Sequence, residues 1–198
     1  MSLNFARSRS MRKKIHIWIF LLCVLTLSSC KTEKVAAEDT QQLGKVVASS
    51  FSNPEMLSVS PLNIRNLLSE IAILDSNGPN EFGWDFTATT VVDGIQWAIA
   101  EFQPNVPEED NKWVLLQIRV GIDEKHNMYS QIKTALTDEL GKPVFDNLET
   151  TEKISIWQLA PYHEILLREG NFEDPVKGTN TDQVLLEFAV IQGEPEEE

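Results

Sequence analysis

The chain has few of the residues that usually carry chemistry. Only two cysteines occur in 198 residues, Cys23 and Cys30. Everything beyond Cys30 therefore lacks disulfides, cysteine-ligated zinc and thiol nucleophiles. Histidine is almost as scarce, and only His126 and His163 lie beyond Cys30. No serine elbow, glycine-rich phosphate loop or HExxH spacing accompanies them. Both histidines read as ordinary surface or loop residues, and no cofactor or metal set is expected. Basic charge is short as well: 17 Lys and Arg face 30 Asp and Glu, a net charge of −13. Such a balance repels nucleic acid and anionic lipid headgroups and suits a basic protein partner. The most apolar stretch, IHIWIFLLCVLTL at residues 15–27, is too short for a membrane-spanning helix, which needs about 20 residues.

What is present begins with that stretch. Arg12, Lys13 and Lys14 precede it, and the small residues Ser28 and Ser29 follow it. A basic segment, a short apolar run and small residues read as a secretory signal over residues 1–29. Met11 opens the signal directly with MRKK, so translation is expected to start there. The segment Leu27-Ser28-Ser29-Cys30 resembles a bacterial lipobox. That resemblance implies that Cys30 becomes the first mature residue and carries acyl chains, tying the protein to a membrane. Several chains hold firmly, because each buried CH₂ contributes about 0.8 kcal/mol and a single chain is marginal. The family's inner-membrane members carry Asp at the next position. Lys31 therefore implies outer-membrane sorting in a double-membraned cell, facing the periplasm. Because the leader holds five basic residues and no acid, its removal leaves a net charge of −18.

Residues 30–58 read as a polar tether, within which Leu43, Val46, Val47 and Phe51 have helical spacing. That piece is either a short helix packed on the body or continued linker. Two similar passes follow, 59–122 and 123–192, with an acidic tail at 193–198. In the first pass, Ser60 and Pro61 form a good helix start. Ile64, Leu67, Leu68, Ile71 and Leu74 then predict one amphipathic helix, ended by DSNGPN. Strands follow at 82–92, with Phe82, Trp84 and Phe86 on one face, and at 95–102, with Ile95, Trp97 and Ile99 on one face. Asp93-Gly94 is a favourable turn between them. An acidic, proline-containing loop leads to the strand WVLLQIRVGI. In the second pass, Asn127 is expected to cap a helix with Met128, Ile132, Ala135, Leu136 and Leu140 inward, stopped by Gly141. The strands KISIWQLA, YHEILLREG and QVLLEFAVIQ follow. VLLQIRV at 114–120 matches VLLEFAV at 184–190 with an offset of 70.

These observations predict an α+β fold of tandem α-β-β-β repeats, an antiparallel sheet with helices on one face. The order resembles the beta-lactamase inhibitor protein fold and the small outer-membrane assembly lipoproteins. Those resemblances imply a module that binds proteins and has no active site. They transfer no individual residues.

Strand alternation locates the expected binding surface. Val114, Leu116, Ile118 and Val120 should face the core, leaving Trp113, Leu115, Gln117 and Arg119 on the other side. Ile154 and Ile156 should oppose Ser155, Trp157 and Leu159. Val184, Leu186, Phe188 and Val190 should oppose Gln183, Leu185, Glu187 and Ala189. Tryptophan and arginine among polar groups are common in protein interfaces. The expected protein-binding residues are therefore Trp113, Gln117, Arg119, Trp157 and Glu187. A non-enzymatic, lipid-anchored inhibitor or immunity-type protein is the leading expectation. An accessory subunit of an envelope assembly machine, and a hydrolase or ligand carrier with a site between the repeats, are the alternatives.

Overall fold

The computed structural model describes residues 41–104, 113–125, 127–148 and 152–191. Every described residue belongs to one compact unit. Cys30 and His126 lie outside the described residues. No helix among the described residues is long and apolar enough to cross a membrane.

Helix α1 spans residues 41–52 and a 3₁₀ turn follows at Pro54–Ser58. The short α2 spans Ile64–Leu67 and the longer α3 spans Met128–Leu140. Eight strands are described: β1 (Ala72–Asp75), β2 (Trp84–Val91), β3 (Ile95–Pro104), β4 (Trp113–Asp123), β5 (Phe145–Asn147), β6 (Lys153–Ala160), β7 (His163–Asp174) and β8 (Thr179–Val190). They form one antiparallel sheet in the order β1-β2-β3-β4-β8-β7-β6-β5. The protein is thus a mixed α+β fold, mostly sheet.

The helices lie on one face. Val47, Ala48 and Phe51 of α1, Ile64 of α2 and Ile132 and Leu136 of α3 share a single core with Phe86, Ile118, Trp157 and Phe188 of the strands. Fully burying one such side chain contributes about 1.5–3 kcal/mol, so this layer is the main source of cohesion. The segment around Leu43–Phe51 is therefore helix packed on the body rather than linker. Helix α3 forms as its apolar spacing predicts, with Met128, Tyr129, Ile132 and Leu136 buried and Gly141 (φ 83°) ending it. Its start differs from expectation: Asn127 has φ 59° and its side chain makes no capping hydrogen bond.

The first predicted helix is mostly something else. Only Ile64–Leu67 is helical, and Ala72–Asp75 is the edge strand β1. The local reason is visible at Ser69, whose backbone N–H and hydroxyl both donate to the Asn66 carbonyl. Serine and asparagine compete in this way with continued helix. The β-branched Ile71 and Ile73 then suit an extended chain. Ile64, Leu68, Ile71 and Leu74 are buried all the same and Leu67 is half-buried, so the apolar spacing marks most inward positions even though the secondary structure differs. DSNGPN consequently joins two strands, with Asn80 accepting the N–H groups of Phe82 and Gly83. Phe82 lies before β2 and is 83% exposed, apart from Trp84 and Phe86.

The Asp93–Gly94 turn does connect β2 to β3, with Gly94 at φ 90°. In β3 the register shifts between Ile95 and Trp97. Ile95 therefore stays in the main core, whereas Trp97 and Ile99 join a smaller cluster with Leu185 on the opposite face. Strand β5 was absent from the expected pattern. Its three residues, with Phe145 about half exposed, carry too little alternation to be recognised.

Candidate protein-binding face

The face opposite the helices is organised around β3, β4, β8 and β7. On β8 the alternation behaves as expected. Val184, Leu186 and Phe188 are fully buried in the core, and Glu187 points to the other side with Leu185. Cross-strand pairing then places Arg119 of β4 directly opposite Glu187, and Gln117 opposite Ala189. Gln117, Arg119 and Glu187 are therefore brought together.

Trp113 is not part of this group. Between β3 and β4 the register slips: Glu101 pairs with Gln117, but Phe102 pairs with Leu115. One extra residue, Leu116, is thereby inserted in β4 as a bulge, and a bulge reverses which side the following residues face. Leu115 accordingly lies in the main core, and Trp113 packs against that core. Its ring meets Trp84 edge-on at 5.8 Å between centroids. Val114 and Leu116, predicted to point inward, are only half-buried.

Trp157 is displaced for a simpler reason. The alternation of β6 runs opposite to expectation: Ser155 and Trp157 are buried, while Ile154 and Ile156 are half-buried on the open side. Both faces of KISIWQLA carry apolar residues, so composition alone does not choose between them. Hydrogen bonds decide it. The Trp157 indole N–H donates to the Gly141 carbonyl at 2.9 Å, at the end of α3. Ser155 is 2.8 Å from the Tyr129 hydroxyl and donates to Asp146 at 2.7 Å. Trp113 and Trp157 are thus structural side chains of the helix-covered face.

Three further residues complete the open face. Glu101 accepts a hydrogen bond from Gln117 and lies 3.6 Å from the Arg119 guanidinium. Arg168 of β7 pairs with Glu152, its Nε donating to the carboxylate at 2.6 Å. Its guanidinium also lies 4.7 Å from the centre of the Phe172 ring. Charges therefore alternate across four strands in the order Glu101, Arg119, Glu187, Arg168, and Glu152, just before β6, continues the series. Glu101 was legible, because it continues the Trp97–Ile99 side of β3 by period two. Arg168 and Glu152 required knowing which strand neighbours β8.

One end of the face is closed. The Trp97 indole lies over Gly121, where an added Cβ would come within 2.2 Å of its nitrogen. Trp97 donates to Gln183 at 3.0 Å, and the Gln183 amide donates to the Phe172 carbonyl at 3.0 Å. Glycine is needed here because another side chain approaches the backbone closely. The middle is different. Leu166 and Arg168 are half-buried, as are Gln117, Arg119 and Glu187. Burial pushes the Glu187 carboxyl above its ordinary value, against the opposing pull of Arg119 and Arg168.

Concave sites elsewhere have another character. An open groove of about 690 Å³ on the helical layer is lined mainly by serine, asparagine, Glu55 and Glu70. A cavity of about 200 Å³ beside His163 is lined by Met56, Trp113, Leu115 and Val190 among others, with no carboxylate. His163 hydrogen-bonds the Pro161 carbonyl at 3.0 Å. Among the described residues no group of three or more His, Cys, Asp or Glu could hold a metal ion.

Compared with family models, with curated proteins and with solved structures, the chain matches none of them.

Proposed function

We propose that this chain is a lipid-anchored envelope protein, tied to the membrane through Cys30, that acts by binding another protein through the helix-free sheet face. The supporting observation is the central strip of that face: alternating Glu and Arg side chains, flanked by Leu166, Leu185 and Ile99, with no helix over them among the described residues. An inhibitor or immunity-type role suits it best. Net acidity steers encounter with a basic partner, and a tether raises local concentration at the envelope. In this reading each half descends from one unit, a helix followed by an antiparallel meander. The support is the order of the elements and the central pairing of β4 with β8, the two segments that match in sequence.

The experiment is affinity capture from membranes with the anchored protein, followed by the same capture with Arg119→Glu. Loss of a specific captured protein with the fold intact by circular dichroism supports the reading. Undiminished capture by the folded variant removes this face. For the anchor, Cys30→Ala should abolish palmitate labelling and move the protein from the membrane to the aqueous fraction. Continued labelling would overturn the assignment of Cys30.

A further inference from the structure

The strip is electrostatically incomplete. Its arginines are each engaged outward: Arg119 with Glu101, and Arg168 with Glu152. Glu187 lies between them and feels the pull of both, yet its carboxylate makes no hydrogen bond or close ion pair among the described residues. Arg119 is directly across from it in register but turns toward Glu101, and the Arg119 Nε is buried with no hydrogen-bond partner. Three carboxylates against two guanidiniums leave one negative charge uncompensated. Neighbouring carboxylates add to that excess: Asp85 of β2 is opposite Glu101, and Glu164 of β7 is opposite Ala189. Among the described residues no lysine shares this strip: Lys153 of β6 pairs with Glu169 and reaches over the Tyr129 ring on the helix side.

A half-buried carboxylate without a partner is costly to maintain, since removal from water is compensated only by pairing. The walls beside it are apolar: Leu166 is its cross-strand neighbour on β7, and Leu185 lies two residues earlier on β8. An apolar rim around one free carboxylate fits the stem and head of a long basic side chain. A central charged anchor in a partly desolvated setting is also where binding energy concentrates.

We infer that Glu187 is a specificity-determining residue of this face, left unpaired to receive one arginine or lysine side chain of the partner protein. The inference rests on the docking reading above and names the chemistry at its centre. A second copy of the chain is a poorer occupant, because its own face presents the same carboxylate excess.

The test uses the full chain in detergent micelles and N-acetyl-arginine amide as the arginine amide probe, with N-acetyl-citrulline amide as the neutral isostere. Methyl NMR reads Ile99, Leu166 and Leu185. Arginine amide should give saturable shifts at Leu166 and Leu185, and citrulline amide should not. Glu187→Gln should weaken the effect at least tenfold, while Glu70→Gln on the helical layer should change it less than twofold. In the wild-type protein, affinity should fall as pH drops through the raised Glu187 titration, which serves as a check independent of any variant. Equal shifts with both amides, wild-type behaviour of Glu187→Gln, or shifts spread over the acidic surface would each overturn the inference. So would concentration-dependent shifts at these methyls without probe, which would assign the face to a second copy. Failure here together with loss of capture by Arg119→Glu leaves the docking reading standing. Undiminished capture removes that reading itself.

Discussion

The two faces of this sheet are made from the same strands yet obey different rules. On the helix-covered face the positions are apolar or fully bonded. Trp157, Ile165, Leu167, Leu186 and Phe188 are buried, and the polar exceptions Ser155 and Tyr129 bond one another. On the open face the same β-strands carry Glu101, Arg119, Glu187 and Arg168 at half burial. The first face can afford almost no change of volume, because interiors pack at crystal-like density. The second tolerates unpaired groups at its centre. Cohesion ends where recognition can begin: stability is concentrated on one side of the sheet, leaving the other free to hold an unsatisfied charge.

That contrast can be broken experimentally. The largest effect should come from Trp157→Ala, which empties a buried site and removes the bond to Gly141. A loss of about 3–5 kcal/mol is expected, measurable by urea unfolding. A loss under about 1 kcal/mol would mean that Trp157 is not part of the core. Gly121→Ala is the sharper test of the open face. The added methyl must displace Trp97, so about 1–3 kcal/mol should be lost, with changed near-UV dichroism from the moved indole. An unaltered tryptophan signal would remove the claim that this end is closed.

Acid titration separates the hairpin end of the sheet from the centre of the open face. Asp174 is buried in the β7–β8 turn. Burial pushes its carboxyl up, but the Lys177 ammonium and the N–H groups of Lys177 and Val176 outweigh this and hold it below the usual value. A lowered folded value means that its stabilisation is present above the unfolded pKa and is lost as pH falls through the folded one. Glu187 has the opposite sign. Its raised folded value favours the protonated form, so its contribution is present at low pH and lost as pH rises through that value. Glu187→Gln should therefore flatten the decline in stability on the neutral side of the carboxylate range. Asp174→Asn should flatten the acid side, below the ordinary aspartate value. Identical pH profiles for both variants would erase the distinction. The smallest effect belongs to Arg65→Ala. Its ion pair with Asp75 is 2.8 Å long, but both side chains are half or more exposed. A change of under about 1 kcal/mol is expected, and a larger one would point to the Arg65 contact with the Phe86 ring.

Much of the fold was legible locally. Helix α3 and the strands β2, β4, β7 and β8 announce themselves through period and turn residues. The candidate face was half legible. Gln117, Arg119 and Glu187 meet as alternation predicts, whereas Trp113 and Trp157 belong to the other side. The two errors have different causes. Alternation states which residues share a face, but a bulge such as Leu116 resets the phase along a strand. A strand apolar on both sides, such as β6, leaves the choice of face to its neighbours.

Composition alone determined that no thiol chemistry is available beyond Cys30 and that acidity dominates. Apolar spacing determined which side chains need burial, even at Ile71 and Leu74, where the secondary structure was misread. Only tertiary packing decided which sheet face the helices cover, and it alone placed Arg168 near Glu187 and Glu152 against Arg168. The reason is physical. Burial preference is a property of each side chain, whereas register is a property of pairs of strands, and a shift of one residue between them turns the whole surface over.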